Sequence, residues 1–146
     1  MARKFSTGLR NGLLGGTTDD CFQELMALGF LDIYSGGQPA DADTAESGTK
    51  LVAITVDSLG TGLSWADAVA GVCAKAAEVW SGVGLVAGTA GWFRFYAAAH
   101  TLGVSTTAIR FDGSVGTSGA QLNMSSTTIA VGATTTIDTF TITLAE

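Results

Sequence analysis

The chain has few charged residues, one proline and one histidine, and these shortages exclude several classes of protein. Only 14% of its 146 residues are charged and 47% are hydrophobic, whereas disordered chains combine low hydrophobicity with high net charge. The single histidine, His100, leaves no imidazole pair for a zinc site and no spare base for Ser-His-Asp chemistry. We expect one compact domain that is not an enzyme and holds no cofactor and no metal.

Long apolar runs are also absent. None reaches the ~18 residues of a membrane-spanning helix, so no membrane partner is expected. Arg3 and Lys4 are not followed by an apolar segment, so no signal peptide is expected either. Cys21 and Cys73 lack metal-ligand spacing. Because no signal peptide for export is expected, both are predicted to be free, buried thiols.

The last third of the chain is rich in Thr, Ser and Gly, and its residues alternate as in a strand. At its end, threonines alternate with apolar residues: Thr139, Thr141 and Thr143 with Phe140, Ile142 and Leu144. A period of two with β-branched residues is typical of a half-buried strand. Twenty glycines supply residues for tight turns.

Short segments of this kind recur along the chain. Strands are predicted over residues 30–34, 50–57, 63–68, 72–76, 81–87, 91–98, 107–111, 121–124, 127–131 and 135–144. One short helix is predicted from about Asp20 to Leu28, with Thr18 or Asp19 as its cap and Gly29 at its end. About ten short strands with turns between them predict an all-β fold, either a jelly roll or a β-sandwich.

The stretch from Trp65 to Trp80 has two interpretations. It is rich in alanine, which favours a helix, but Gly71 near its centre costs about 1 kcal/mol in a helix. Its neighbours on both sides are predicted strands. We therefore favour a hairpin that turns at Ala70-Gly71 and leave the helix as the alternative.

The N-terminus differs in charge from the rest. Three of the seven basic residues lie in the first ten positions, and the remainder carries four basic and thirteen acidic residues, a balance of −9. An acidic body disfavours nucleic acid, while a basic segment is attracted to an acidic partner. We expect residues 1–17 to form an arm with no place in a compact sandwich and residues 18–146 a single β-domain; a solvated terminus is the alternative. The arm's predicted partner-binding residues are Arg3, Lys4, Leu9, Arg10, Leu13 and Leu14.

Two further clusters leave alternatives open. The carboxylates of Asp41, Asp43 and Glu46 share one predicted loop, and hard cations prefer such ligands. The rest of an EF-hand loop is missing, so a solvated acidic loop is favoured and a cation site stays open. The aromatic residues form either a sandwich core, which is favoured, or a sugar-binding platform. They are Trp65, Trp80, Trp92, Phe93, Phe95 and Tyr96. His100 is interpreted as an exposed or turn residue.

Several segments together resemble the small virion proteins of tailed bacteriophages. They are LLGG at the end of the arm, FLDIYSGGQPADAD, WSGVGLVAGTAGWFRFYA and the tail that begins IRFDGSVG, and the resemblance extends from about Leu9 to Leu144. It is to the cement or decoration proteins on the outside of the head, which are β-rich, often jelly-roll-like, and bind as dimers or trimers across capsomer boundaries without catalytic residues.

The resemblance implies a structural protein that is made in the host cytoplasm, binds the outer capsid surface and stabilises the shell. Its implied partners are the major capsid protein and further copies of itself, as a homodimer or homotrimer. A head–tail connector or tail protein is the alternative within the virion. A carbohydrate-binding β-sandwich module is the alternative from another class.

Overall fold

The computed structural model describes residues 3–15 and 21–143. About 40% of the residues lie in strands and 8% in helices, which confirms the predicted all-β fold. The elements in chain order are β1 (Lys4–Phe5), α1 (Thr7–Leu13), α2 (Phe22–Leu25), β2 (Phe30–Ser35), β3 (Lys50–Val56), β4 (Val72–Ala74), β5 (Trp80–Val83), β6 (Gly88–Tyr96), β7 (Arg110–Gly116), β8 (Leu122–Asn123), β9 (Thr128–Ile129), β10 (Thr134–Ile137) and β11 (Thr141–Thr143). Neither helix has the length and apolar character needed to cross a membrane.

One large sheet dominates the fold. Its order is β1-β7-β6-β2-β3-β5-β10, with β8 beside β7 and β9 beside β6, while β4 and β11 form a separate two-stranded sheet. The pair β7–β8 is parallel. The register places Leu31 of β2 opposite Phe95 of β6, and Phe95 opposite Phe111 of β7. One face of three neighbouring strands therefore carries a continuous apolar row.

Aromatic rings form the core between the two sheets. Trp65 lies at its centre, with ring centroids 5.4 Å from Trp80, 5.2 Å from Phe95 and 5.5 Å from Phe140. Trp80 of β5 also approaches Phe95 of β6 at 5.8 Å, although two strands separate β5 from β6. The large sheet therefore curves around the core, and the segment of Phe140 and β11 closes it. Of the two arrangements that were expected, a jelly roll and a β-sandwich, the structure has the β-sandwich.

All six aromatic residues singled out in the sequence are buried in this structure. The prediction as core residues is confirmed for Trp65, Trp80, Phe93 and Phe95, whereas Trp92 and Tyr96 are buried on the opposite face of the large sheet. None of the six is exposed for a sugar-binding platform. Each large apolar side chain contributes about 1.5–3 kcal/mol when it is fully buried.

The predicted hairpin in the Trp65–Trp80 stretch is confirmed. Val69 and Val72 exchange reciprocal backbone hydrogen bonds of 2.9 and 3.0 Å. Between them Ala70 and Gly71 both have positive φ angles, 50° and 75°, as a two-residue type I′ turn requires. The second strand of the hairpin is β4, which pairs Cys73 with Ile142 of β11.

The helix predicted from Asp20 to Leu28 is shorter than expected. Its start is α2, with Cys21 as N-cap and Glu24 accepting a hydrogen bond from the Cys21 N–H at 3.1 Å; the predicted caps Thr18 and Asp19 lie outside the described residues. The helix ends at Leu25 with Met26 as its C-cap, and Leu28 beyond it adopts a left-handed conformation, with φ 55°. Gly29 does not end the helix but pairs with Leu63, and a Cβ on Gly29 would lie 2.3 Å from the Tyr96 carbonyl oxygen.

The N-terminal segment packs on the β-domain, so the expectation that it has no place in the sandwich is wrong for residues 3–15. Strand β1 extends the large sheet by pairing Phe5 with Phe111. Ser6 then caps α1 by accepting a hydrogen bond from the Leu9 N–H at 3.1 Å. Leu9 is fully buried in the core.

Several predicted strands also differ from the structure: residues 63–68 form only isolated bridges, and β5 and β7 do not have the bounds predicted, 81–87 and 107–111. Strand β6 begins at Gly88, three residues before the predicted start at Gly91. Glycine suits this part of a strand because a Cβ on Gly91 would lie 2.1 Å from the Gly36 carbonyl oxygen. The strand predicted over residues 135–144 is divided into β10 and β11. Within β11, Ile142 is buried and the flanking threonines are exposed, as the alternation predicts.

Candidate interaction surface

At β6 the large sheet is buried on both of its faces. In β6, alternation places Phe93 and Phe95 in the aromatic core and Trp92, Arg94 and Tyr96 on the opposite face, and all five are buried. Their neighbours on the opposite face include charged residues of β2 and β7. We call Asp32, Glu46, Arg94, Arg110 and Asp112 the charge network. The segments 36–49 and 97–108 cover this face.

Arg94 and Asp112 form the centre of the charge network. They lie opposite each other on β6 and β7, with Arg94 Nε 2.6 Å from Asp112 Oδ1 and Nη2 2.7 Å from Oδ2. Neither side chain has any exposed surface. Burial alone would lower the pKa of Arg94, but the hydrogen bonds and charge of Asp112 outweigh burial and raise it. Arg94 Nη1 also donates to the Thr44 carbonyl oxygen at 2.9 Å.

Arg110 binds two covering segments through their backbones. Its Nε and Nη2 donate to the carbonyl oxygens of Ala42 at 2.7 Å and Asp43 at 3.1 Å. Its Nη1 and Nη2 donate to those of Thr101 at 2.8 Å and Gly103 at 2.6 Å. One rigid guanidinium therefore fixes segment 36–49 relative to segment 97–108.

Glu46 reinforces the same connection. Its Oε1 accepts hydrogen bonds from Tyr96 Oη at 2.8 Å and Arg94 Nη1 at 3.0 Å, and its Oε2 accepts from the Gly103 N–H at 3.0 Å. Burial by itself would raise the pKa of Glu46, but these donors stabilise the carboxylate and lower it. The carboxylate is therefore charged at neutral pH and takes part in the network.

The predicted acidic loop is only partly solvated. Asp41 is exposed and accepts a hydrogen bond from the Thr44 N–H at 2.8 Å. Asp43 accepts one from the Thr7 N–H at 2.8 Å. The solvated interpretation is wrong for Glu46, whose side chain is 15% exposed. The three carboxylates bind separate donors, and the described residues contain no group of three acidic, His or Cys side chains placed to hold a metal ion.

His100 is held at the edge of this face. Its Nε2 lies 3.0 Å from Oδ2 of the fully buried Asp32, and its ring stacks on Phe30. It follows β6 in a left-handed conformation with φ 47°, as in a turn, but its side chain is half-buried rather than exposed. In residues 3–15 and 21–143 it hydrogen-bonds no hydroxyl or thiol, so the described part provides no His-activated nucleophile.

Segment 97–108 presents two exposed apolar side chains, Leu102 and Val104, which we call the loop pair. They are 55% and 79% exposed. The residues between and beside them are fixed: Thr101 and Gly103 bind Arg110, and the Ser105 N–H donates to the Asp43 carbonyl oxygen at 2.9 Å. Held backbone positions thus alternate with exposed side chains, so a contact with Leu102 and Val104 would need little further ordering of the backbone.

The predicted partner-binding residues are not gathered on one exposed surface. Leu9 is buried in the core and Leu13 packs against it. The Arg3 guanidinium donates to the Thr141 carbonyl oxygen at 3.1 Å, and Lys4 Nζ donates to that of Pro39 at 2.6 Å. Both cations bind this chain's own backbone.

Arg10 and Leu14 are the members of the predicted set that remain exposed on α1 and at its end. Leu14 is 86% exposed.

Cys21 is also exposed, which corrects its prediction as a buried thiol, while Cys73 is buried and free as expected. Burial is the main cause that raises the pKa of the Cys73 thiol, and the nearby Cys21 raises it further.

Sequence reasoning missed the charge network and the loop pair. A signal for the network is present in the strings WFRFY and IRFDG, where an arginine interrupts an apolar strand in a chain of low charge. Such residues are rarely buried unless they are paired. No comparable signal distinguishes Leu102 and Val104 from core residues.

Comparison with known proteins adds no relative: no family model, no curated protein and no solved structure matches this chain.

Proposed function

We propose that this protein is a non-enzymatic structural protein of a tailed-bacteriophage virion that binds the outer surface of the capsid and stabilises the shell. Its partners are the major capsid protein and other copies of itself. The observation that carries the proposal is the loop pair, because Leu102 and Val104 project from a backbone fixed by buried Arg110 and half-buried Glu46.

Rigidity of the loop favours binding to a large partner. Ordering a mobile side chain at an interface costs about 0.5–1.5 kcal/mol, and a loop that is already fixed avoids further backbone ordering. Full burial of an exposed aliphatic side chain returns about 1.5–3 kcal/mol. A shell under outward pressure from packaged DNA gains stability from any such contact that bridges neighbouring subunits.

The basic residues near the N-terminus assist the approach locally, against the net charge of the whole chain. The formal net charge of the chain is −6, and Arg10 is exposed on α1. Arg3 and Lys4 donate to neutral backbone carbonyl groups rather than to carboxylates. These cations are the ones proposed to face an acidic capsid surface, and added salt should then slow association more than it speeds release.

The test uses capsids of the parent phage that lack the protein. The double variant Leu102→Asp/Val104→Asp should bind them at least tenfold more weakly than the wild type in co-sedimentation, since each new carboxylate must be desolvated at the interface. Leu59→Asp is the matched control, because Leu59 is 80% exposed elsewhere on the surface. The Leu59→Asp variant should bind the capsids normally.

Heat stability of the capsids tests the role itself. Capsids with the wild-type protein should rupture at a higher temperature than capsids without it. Equal rupture temperatures contradict the stabilising role. A stained gel of purified virions then distinguishes the connector alternative, which requires far fewer copies per particle than a decoration protein.

A further inference from the structure

Four exposed aliphatic side chains lie together at one end of the large sheet. They are Val83, Leu85, Val86 and Val131, each between 42% and 65% exposed, and we call them the end patch. Val83 is the last residue of β5, the next two lie between β5 and β6, and Val131 lies between β9 and β10. Clusters of exposed apolar residues mark interaction sites, whereas single ones do not.

Backbone hydrogen bonds join the two loops that carry the end patch. The Gly84 N–H donates to the Ala133 carbonyl oxygen at 2.9 Å, and the Gly84 carbonyl oxygen accepts from the Gly132 N–H at 2.9 Å. The Leu85 N–H donates to the Leu51 carbonyl oxygen of β3 at 2.8 Å. A contact with the end patch therefore needs little further ordering of the backbone.

The end patch lies in a part of the chain that carries no charge. Residues 79–93 and 113–137, which contain its four members, include no Asp, Glu, Lys, Arg or His, although the formal net charge of the chain is −6. Charged groups of a partner would find no opposite charge in these segments and would lose water without compensation. The end patch therefore fits an uncharged, apolar surface, in contrast to the acidic surface proposed for the N-terminal cations.

The end patch and the loop pair are located at opposite ends of β6. Gly88, the first residue of β6, pairs with Ile129 beside the end patch. Tyr96, the last residue, pairs with Arg110, which fixes the segment of the loop pair. The nine residues of β6 extend over about 25 Å. One sheet therefore presents two apolar contacts that are far apart.

We infer that the end patch binds an uncharged apolar surface on one capsid subunit while the loop pair binds the neighbouring subunit. The inference rests on the proposed function, because a molecule attached to the shell at one site alone adds no link between subunits. Contacts at both ends of β6 hold two subunits together. Once one end is bound, the other binds at a raised effective concentration, so each contact strengthens attachment through the other.

The test compares capsid binding with capsid stabilisation. Leu85→Asp/Val131→Asp should bind capsids that lack the protein at least tenfold more weakly than the wild type in co-sedimentation, since each new carboxylate must lose water at the contact. At equal occupancy, reached with a higher concentration of the variant, it should still fail to raise the rupture temperature of the capsids. Leu59→Asp/Val69→Asp is the matched control, because it adds the same charges at exposed residues outside the end patch; it should bind and stabilise the capsids as the wild type does.

Circular dichroism and thermal melting check that the variants are folded, and Val131→Asp alone carries the test if the double variant does not fold. An end-patch variant that binds as tightly as the wild type, or that stabilises the capsids fully at equal occupancy, overturns the inference and leaves the proposed function standing. A wild type that neither binds nor stabilises the capsids overturns both.

Sedimentation equilibrium of the free protein tests for a different occupant of the end patch. The end-patch variant should have the same oligomeric state as the wild type. A wild type that self-associates while Leu85→Asp/Val131→Asp is monomeric would assign the end patch to a second copy of the chain and overturn the inference.

Discussion

Replacing Arg94 by methionine should destabilise the domain by about 3–5 kcal/mol, because it leaves a buried carboxylate without its cation. Both oxygens of Asp112 accept hydrogen bonds from Arg94, and both side chains are fully buried. Methionine retains much of the aliphatic stem of arginine, so the change removes charge and hydrogen bonds more than volume.

The expected loss is a large part of the total stability. The free energy of unfolding of a domain of this size is about 5–15 kcal/mol. Each kcal/mol lowers the melting temperature by roughly 3 °C at this chain length, so the variant should melt about 10–15 °C below the wild type. Segments 36–49 and 97–108 should loosen as well, because Arg94 also binds Thr44 and Glu46.

The assay is urea unfolding followed by tryptophan fluorescence, applied to a double-mutant cycle. Asp112→Leu is the second single variant, and Arg94→Met/Asp112→Leu is the double variant. Because apolar replacement of a whole buried pair is often tolerated, the double variant should lose less stability than the two single variants added together. Residues in direct contact show coupling of about 0.5–3 kcal/mol.

Arg10→Met is the matched control, since Arg10 is exposed and its replacement should change stability by no more than about 0.5 kcal/mol. An Arg94→Met protein within about 1 kcal/mol of the wild type would refute the reasoning. Strict additivity in the cycle would also refute it, because a buried pair that stabilises the fold must show coupling.

Two further perturbations test other parts of the structure. The pKa of Glu46 is lowered in the fold, so its contribution is present above its unfolded value of about 4.3 and is lost as pH falls through the folded value. Glu46→Gln should therefore be less stable than the wild type near neutral pH, and the difference should shrink in acid; a constant difference from neutral pH down to pH 3 in urea unfolding would contradict this. Deleting residues 1–15 should destabilise or unfold the domain, because it removes Phe5 and the buried Leu9; circular dichroism and thermal melting that show an unchanged fold would instead restore the interpretation of this segment as an independent arm.

The sequence predicts the local elements well where the determining contacts are local. A turn of this type requires two adjacent residues with positive φ, and Ala70 and Gly71 adopt such angles. The sequence predicts the turn at these two residues because Gly71 disfavours a helix and strands are predicted on both sides. The burial of Phe140 and Ile142 follows from the alternation of apolar residues and threonines in their own segment. In both cases the forces act within a few residues, so the pattern is visible in the chain.

Other features were missed although part of their signal is local. Ser6 is a good helix cap, but Gly8 and Gly12 within α1 weaken the helical pattern. Gly8 is required by its surroundings instead, since a Cβ there would lie 2.3 Å from the Thr107 carbonyl oxygen. Whether Leu9 is buried depends on β1 joining β7, a contact more than a hundred positions away in the chain.

The amino-acid sequence by itself determined that the chain forms many short strands around an aromatic core, because alternation, glycine turns and side-chain size act over short distances. Only the tertiary structure decided that Arg94 meets Asp112, that Arg110 fixes two distant segments, and that Leu102 and Val104 remain outside. These outcomes depend on which strands become neighbours and in which register. Pairing between distant strands is a cooperative property of the whole sheet, so no single segment specifies it.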